Sequence, residues 1–192
     1  MILNDFFRHL FSGYEYLKTG KTSYSELAKL QEYQYYDLDK MQSIVDEKIV
    51  RLVNHAYMNV PFYRNLYDSF GVDVKEVKGA KNLDLLPVVN KTMIRKHFPD
   101  DMMASGLKTR AIYDLTSGST GVPFEFFDDQ FCTPTKLSSH MLFNTWMGVG
   151  PNDKHAHIAS PKAETIKSRV KKFIFNKNSI SSLKIKPDNM NG

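Results

Sequence analysis

The sequence predicts an α/β chain in which a helical N-terminal region packs on a small sheet. Apolar residues through the first third recur at three- and four-residue intervals, the spacing of one helix face. Near Ala111 the pattern changes to two short β-prone runs on either side of a polar, glycine-containing turn. Hydrophobic residues at 42% and aromatics at 12% argue for a packed core and against disorder.

Ile2, Leu3, Phe6, Phe7, Leu10, Phe11, Tyr14 and Leu17 define the first helix, over residues 2–18, and Gly20 stops it. A second helix is predicted from about Asp39 to Tyr57 through Met41, Ile44, Val45, Ile49, Leu52 and Val53. Pro61 suits the first turn of a third, short helix, and Gly71 suits its left-handed end. Leu83, Leu85, Leu86 and the Pro87-Val-Val89 run read as extended, after which Asn90 caps a helix from Lys91 to His97. Strands are predicted over Ala111 to Leu115 and Phe124 to Phe127, with the turn between them projecting from the sheet edge. Residues 129–147 resume helical spacing, with Pro134 either in the first turn or at a kink, and His155 to Ala159 reads as a strand. Lys184 to Gly192 reads as frayed. Trp146, Met141, Leu142 and Phe143 are expected in the core, and Tyr33, Tyr35 and Tyr36 are expected to pack helices.

The net charge of +5 is not spread evenly. Residues 161–192 hold eight Lys or Arg against Glu164 and Asp188, a net of +6, which leaves −1 for the first 160 residues. Such a run reads as a solvated basic face more readily than as a polynucleotide groove, and Phe173 and Phe175 are the only aromatics within it. Cys132 is the single cysteine, which excludes an intramolecular disulfide and a cysteine-based zinc site and suits a reducing compartment. No apolar run approaches the length of a bilayer span, so the expected location is cytoplasmic, without membrane contact.

The chemistry is concentrated in Asp114-Leu-Thr-Ser-Gly-Ser-Thr-Gly-Val-Pro-Phe124, where residues 116–121 hold four hydroxyl side chains and two glycines. Glycine lets backbone amides approach an anion, and hydroxyls add hydrogen bonds to phosphate oxygens. A serine-rich hairpin turn is the bland alternative. The segment lacks the Gly-Lys-Ser/Thr ending of the nucleotide-binding P-loop.

Thr116-Ser-Gly-Ser-Thr-Gly-Val-Pro123 resembles the Thr-Ser-Gly-Ser/Thr-Thr-Gly-x-Pro phosphate loop of the adenylate-forming superfamily. Val60-Pro-Phe-Tyr-Arg64, Phe70-Gly-Val-Asp73 and Leu83-Asp-Leu-Leu-Pro-Val-Val-Asn-Lys91 resemble segments that precede that loop in phenylacetate–CoA ligases, most closely in relatives assigned to capsular polysaccharide biosynthesis. The resemblance runs from about Lys40 to His157, where Gly150-Pro-Asn-Asp-Lys154 stands in place of a Gly-Asp-Lys/Arg element. It implies an incomplete N-terminal part of an adenylate-forming fold, with ATP and Mg²⁺ as cofactors. Thr116, Ser117, Gly118, Ser119, Thr120 and Gly121 would hold the β- and γ-phosphates. The implied reaction joins a carboxylic acid to AMP and then passes the acyl group to a thiol such as coenzyme A. Phe124 stands where many superfamily members carry lysine, so a cation must come from Mg²⁺ or from another residue.

The expected organisation is an adenylation part over residues 1–160, helical over 1–98 and bearing the phosphate loop over 99–160, followed by a basic 161–192 segment. Nothing after His157 resembles the family's adenine-, ribose- and carboxylate-binding motifs, so no catalytic residue is assigned and no turnover by this chain alone is expected. A phosphate- or nucleotide-binding module without turnover is the alternative, and a basic nucleic-acid-associated protein ranks below both. His155 and His157 share a strand face but have no third ligand nearby, so no metal site is assigned. Ser138, Ser139 and His140 lack a Gly-x-Ser-x-Gly elbow. Apolar surface left uncovered by a missing part would favour association.

Overall fold

The computed structural model describes residues 2–107, 110–116, 121–150, 153–159, 166–174 and 177–181; for 2–5, 155, 157–159, 167, 171, 174 and 177–181 it describes the backbone alone. The chain divides into two compact units, residues 32–133 and residues 1–31 with 134–192.

In the first of these, α3 (Leu38–Asn59) begins where the Asp37 side chain accepts from the Lys40 amide at 2.8 Å. Val60 ends α3 and, with Pro61 in the following first turn, opens α4 (Pro61–Ser69). Gly71 closes α4 at φ 65°, where the Val72 amide reaches back to the Tyr67 carbonyl at 3.0 Å. Val53, Tyr67, Val74 and Val77 form the buried centre, with Ile49, Tyr63, Leu66 and Leu86 packed around it. Leu83 and Leu85, expected to be extended, lie instead in a 3-10 stretch over Ala80–Leu85. Its turns are closed by Asn82 N to Gly79 O and Leu86 N to Leu83 O, both 3.1 Å, so extended backbone begins only at Leu86. Asn90 then caps α5 (Lys91–His97).

Strands β1 (Ala111–Leu115) and β2 (Glu125–Asp129) form an antiparallel hairpin with Ala111 opposite Asp129 and Leu115 opposite Glu125. The second strand thus starts one residue later and ends two later than predicted. The Asp129 side chain turns the chain by accepting from the Phe131 amide at 2.9 Å.

The other unit holds α1 (Ile2–Thr19), α2 (Ser23–Tyr33, whose last turn crosses into residues 32–133), α6 (Thr133–Trp146), β3 (His155–Ala159), α7 (Ile166–Ile174) and β4 (Lys177–Ser181). The buried Glu15 carboxylate starts α2, accepting from the Ser23 amide at 2.9 Å and the Ser23 hydroxyl at 2.6 Å. Leu27, Met141 and Leu142 form the core with Tyr24, Leu30 and Leu137. Pro134 sits in the first turn of α6 without breaking it. β3 and β4 pair in parallel, which requires a crossover, and α7 lies between them in sequence.

Three core expectations need correction. Trp146 is 61% and Phe143 50% exposed, because Pro134, Ser138, Met141 and Leu142 make the buried stripe of α6 and the helix ends at Trp146. Tyr35 is 85% exposed, lying in the turn after α2. Tyr33 and Tyr36 do pack together, with ring centres 5.5 Å apart and Lys40 over the Tyr36 ring at 3.4 Å. The predicted fraying of residues 184–192 lies outside the described residues.

A hairpin neck held by one helix face

The candidate site is built from α5 and the β1–β2 hairpin. The side chain of Asn90 accepts from the Met93 amide at 3.0 Å, which fixes the start of α5 and hence which residues share each of its faces. Lys91, Arg95 and Phe98 follow at i, i+4 and i+7, one face of the helix and its cap. The Phe98 ring stacks on Phe127 of β2, with centroids 5.0 Å apart and an interplanar angle of 25°. Lys91 Nζ lies 5.8 Å from the centre of the Phe124 ring. Arg95 Nη2 donates to the Val122 carbonyl at 3.3 Å and to the Pro123 carbonyl at 3.4 Å.

The hairpin ladder continues one rung past Leu115 and Glu125. The Thr116 amide donates to the Phe124 carbonyl at 2.9 Å, and the Phe124 amide donates to Thr116 Oγ1 at 3.0 Å. This pair forms the neck of the 116–123 loop. Gly121 leaves the loop at φ 89°, a conformation that glycine adopts without penalty, and a Cβ there would meet open space. Thr116 and residues 121–123 are exposed. Further down the hairpin, the Tyr113 hydroxyl donates to Glu125, and that carboxylate holds the phenol pKa above its ordinary value.

Of the predicted phosphate-binding residues, Thr116 and Gly121 are found at the two ends of the loop; Ser117, Gly118, Ser119 and Thr120 lie outside the described residues. The basic side chains of α5 were not singled out. Their i, i+4 spacing was visible, but nothing local tied that face to a loop almost thirty residues on.

No family model matches the chain. The phenylacetate-coenzyme A ligase of Thermus thermophilus is 38% identical over 85 residues, 44% of this chain and 19% of that enzyme. That of Escherichia coli is 28% identical over 95 residues, 50% of this chain and 22% of the enzyme. A crystal structure of 2-hydroxyisobutyryl-CoA ligase in the postadenylation state matches with a TM-score of 0.58 at 16% identity, over 78% of this chain and 32% of that one. The same ligase with 2-HIB-AMP and CoA in the thioesterification state matches at 0.58 and 18% identity, over 75% and 32%. The fold is therefore that of the N-terminal part of an adenylate-forming ligase, mostly helical with two small two-stranded sheets. The similarity spans about a fifth of the curated relatives and a third of the solved ligases.

Other candidates have structural explanations. Ser138 is fully buried, and its hydroxyl and that of Ser139 donate to the Thr135 carbonyl at 2.8 and 3.0 Å. Phe173, in the basic segment, lies edge-on to Phe7 with centroids 6.0 Å apart. The side chains of His155 and His157 lie outside the described residues. Among the described residues no three His, Cys, Asp or Glu side chains converge, and no helix is long and apolar enough to cross a membrane.

Proposed function

We propose that this chain contributes the phosphate-binding loop of an ATP-dependent, carboxylate-activating enzyme of the acyl- or aryl-CoA ligase kind, as its N-terminal part. Thr116, Ser117, Gly118, Ser119, Thr120 and Gly121 hold the β- and γ-phosphates of ATP. The observation that carries the reading is the neck: Thr116 and Phe124 pair reciprocally, so the Gly-, Ser- and Thr-rich segment between them starts and ends on one hydrogen-bonded pair. Successive backbone amides in a glycine-containing turn can form an anion-binding concavity.

In the proposed reaction a carboxylate oxygen attacks the α-phosphorus, the α–β phosphoanhydride bond breaks, and pyrophosphate leaves; a thiol such as coenzyme A then gives up its proton and attacks the acyl carbon, breaking the acyl–phosphate bond and releasing AMP. This chain's share is to bind and neutralise the leaving phosphates. Lys91, its ammonium beside the Phe124 ring, supplies the positive charge that a lysine in place of Phe124 would have brought. Mg²⁺ would arrive on the phosphates of ATP, since it is commonly held by few protein carboxylates and keeps several of its waters. A role in capsular polysaccharide synthesis is proposed from the sequence resemblance, a cytoplasmic location from the single cysteine, and a division at residue 160 from the basic run that follows it.

The chain by itself is expected to lack ligase turnover. In-line attack tolerates little error, since misplacement by about 1 Å costs on the order of 10²-fold in rate, and the loop fixes only one end of the nucleotide. Pyrophosphate release from Mg-ATP is measured over a panel of acyl and aryl acids, for the parent and for a Ser117→Ala, Thr120→Ala variant. Background release by both is expected. Acid-dependent release by the parent that the variant loses would show that this chain holds a whole site.

A further inference from the structure

One face of α5 meets three successive stretches of the hairpin's returning arm: Arg95 at Val122 and Pro123, Lys91 at Phe124, and Phe98 at Phe127. Of the three, only Arg95 grips backbone. The Pro123 carbonyl and the Phe124 amide belong to one peptide plane; Arg95 holds the carbonyl, and Thr116 Oγ1 accepts from the amide at 3.0 Å. That plane is clamped at both ends. The preceding plane has no N–H because its nitrogen is proline's, so its only polar handle is the Val122 carbonyl, which Arg95 also holds at 3.3 Å.

We infer that Arg95 is a positioning residue for the phosphate loop, fixing the two peptide planes on either side of Pro123 and so the arm on which the loop returns to the hairpin and meets a polyphosphate. The inference rests on the reading of residues 116–121 as the phosphate site and names the element that orients it. A carbonyl free to swing toward a bound anion would repel it; held by a guanidinium, it cannot. Arg95 is exposed and its two bonds are long, so they add little to global stability. A role in orientation therefore separates from a role in stability.

The test uses the whole chain and four proteins: parent, Arg95→Ala, Arg95→Lys, and Lys96→Ala as a charge control on the neighbouring exposed residue. Three quantities are read: hydrogen exchange and ¹⁵N relaxation of the Gly121 and Phe124 amides without ligand, affinity for pyrophosphate and Mg-ATP, and the thermal midpoint. Arg95→Ala is expected to speed exchange at Phe124 and weaken pyrophosphate binding about tenfold, with the midpoint unchanged. Arg95→Lys recovers part of both, since an ammonium lacks the planar fork, and Lys96→Ala behaves as parent. A parent that binds neither ligand sinks the phosphate reading itself. If the parent binds and Arg95→Ala matches it in affinity and exchange, the positioning role alone is wrong. Full rescue by lysine, with no change in the ligand-free amides, would also overturn it, assigning Arg95 a direct charge contact instead.

Discussion

Asp46 and Gly79 show how narrowly single residues are constrained in the 32–133 unit. Asp46 Oδ1 accepts from the Ala80 amide at 2.8 Å and from Gln42 Nε2 at 2.9 Å, which draws its side chain against Gly79. A Cβ on residue 79 would overlap the Asp46 side chain, including its own Cβ. The Gly79→Ala change is expected to cost about 1–3 kcal/mol, read from urea unfolding, and Asp46→Ala to relieve only part of it, because the Cβ of residue 46 stays in the way. In the other unit Glu26 reports on pH. Burial pushes its carboxyl up, but the hydrogen bond from Lys29 and the charges of Lys21 and Lys29 outweigh burial, and its pKa falls below the ordinary 4.5. A carboxyl depressed in the folded state contributes stability above its unfolded value and loses it as pH falls through the folded one. Stability should therefore drop as pH falls below about 4.5, and Glu26→Gln should flatten that part of the profile. An unchanged acid limb in the variant would refute the assignment.

At the scale of elements, the hairpin neck and the α5 cap are the parts that set the loop. Thr116→Ser keeps the acceptor for the Phe124 amide and should leave hydrogen exchange there unaltered. Thr116→Val removes it, and about 1 kcal/mol of protection should go with it. Asn90→Ala should cost about 1 kcal/mol through loss of the cap, and equal stability of variant and parent would deny the cap its role. Elements with local signals were legible in the sequence: Pro61 and Gly71 bracket α4, Asn90 starts α5, and the change to two β-prone runs around a polar turn at Ala111 marks the hairpin. Elements held from a distance were not. The start of α2 has a local cap, Thr22 Oγ1 accepting from the Ser25 amide at 3.0 Å and Ser25 Oγ from the Thr22 amide at 3.1 Å, but its apolar spacing is sparse and the Glu15 carboxylate that also holds Ser23 comes from another helix. The strand β4 is polar apart from Ile180 and finds its place only by pairing with β3. The same limit applies to the site. The proposed phosphate role rests on the loop's own composition, whereas Arg95 reaches the loop's returning arm across 27 residues of sequence.

For the molecule as a whole, the covering of apolar surface is incomplete. Ile112, Tyr113 and Leu115 of β1 are each about half exposed, and Val122 of the loop is 59% exposed. A lone two-stranded hairpin is marginal in water, and an edge of this kind invites pairing. Concentration-dependent association is expected in sedimentation velocity, and Ile112→Lys should reduce it; a strict monomer at all concentrations would contradict this. The exposed strand also leads into the loop proposed to take phosphate. The central claim, that this loop takes ATP phosphates, is tested most directly by an NMR titration of the ¹⁵N-labelled chain with Mg-ATP. The account predicts the largest amide shifts at Ser117, Gly118, Ser119, Thr120 and Gly121, with smaller ones at Phe124. Shifts confined to the lysine-rich 161–192 segment, with the loop amides unmoved, would contradict it.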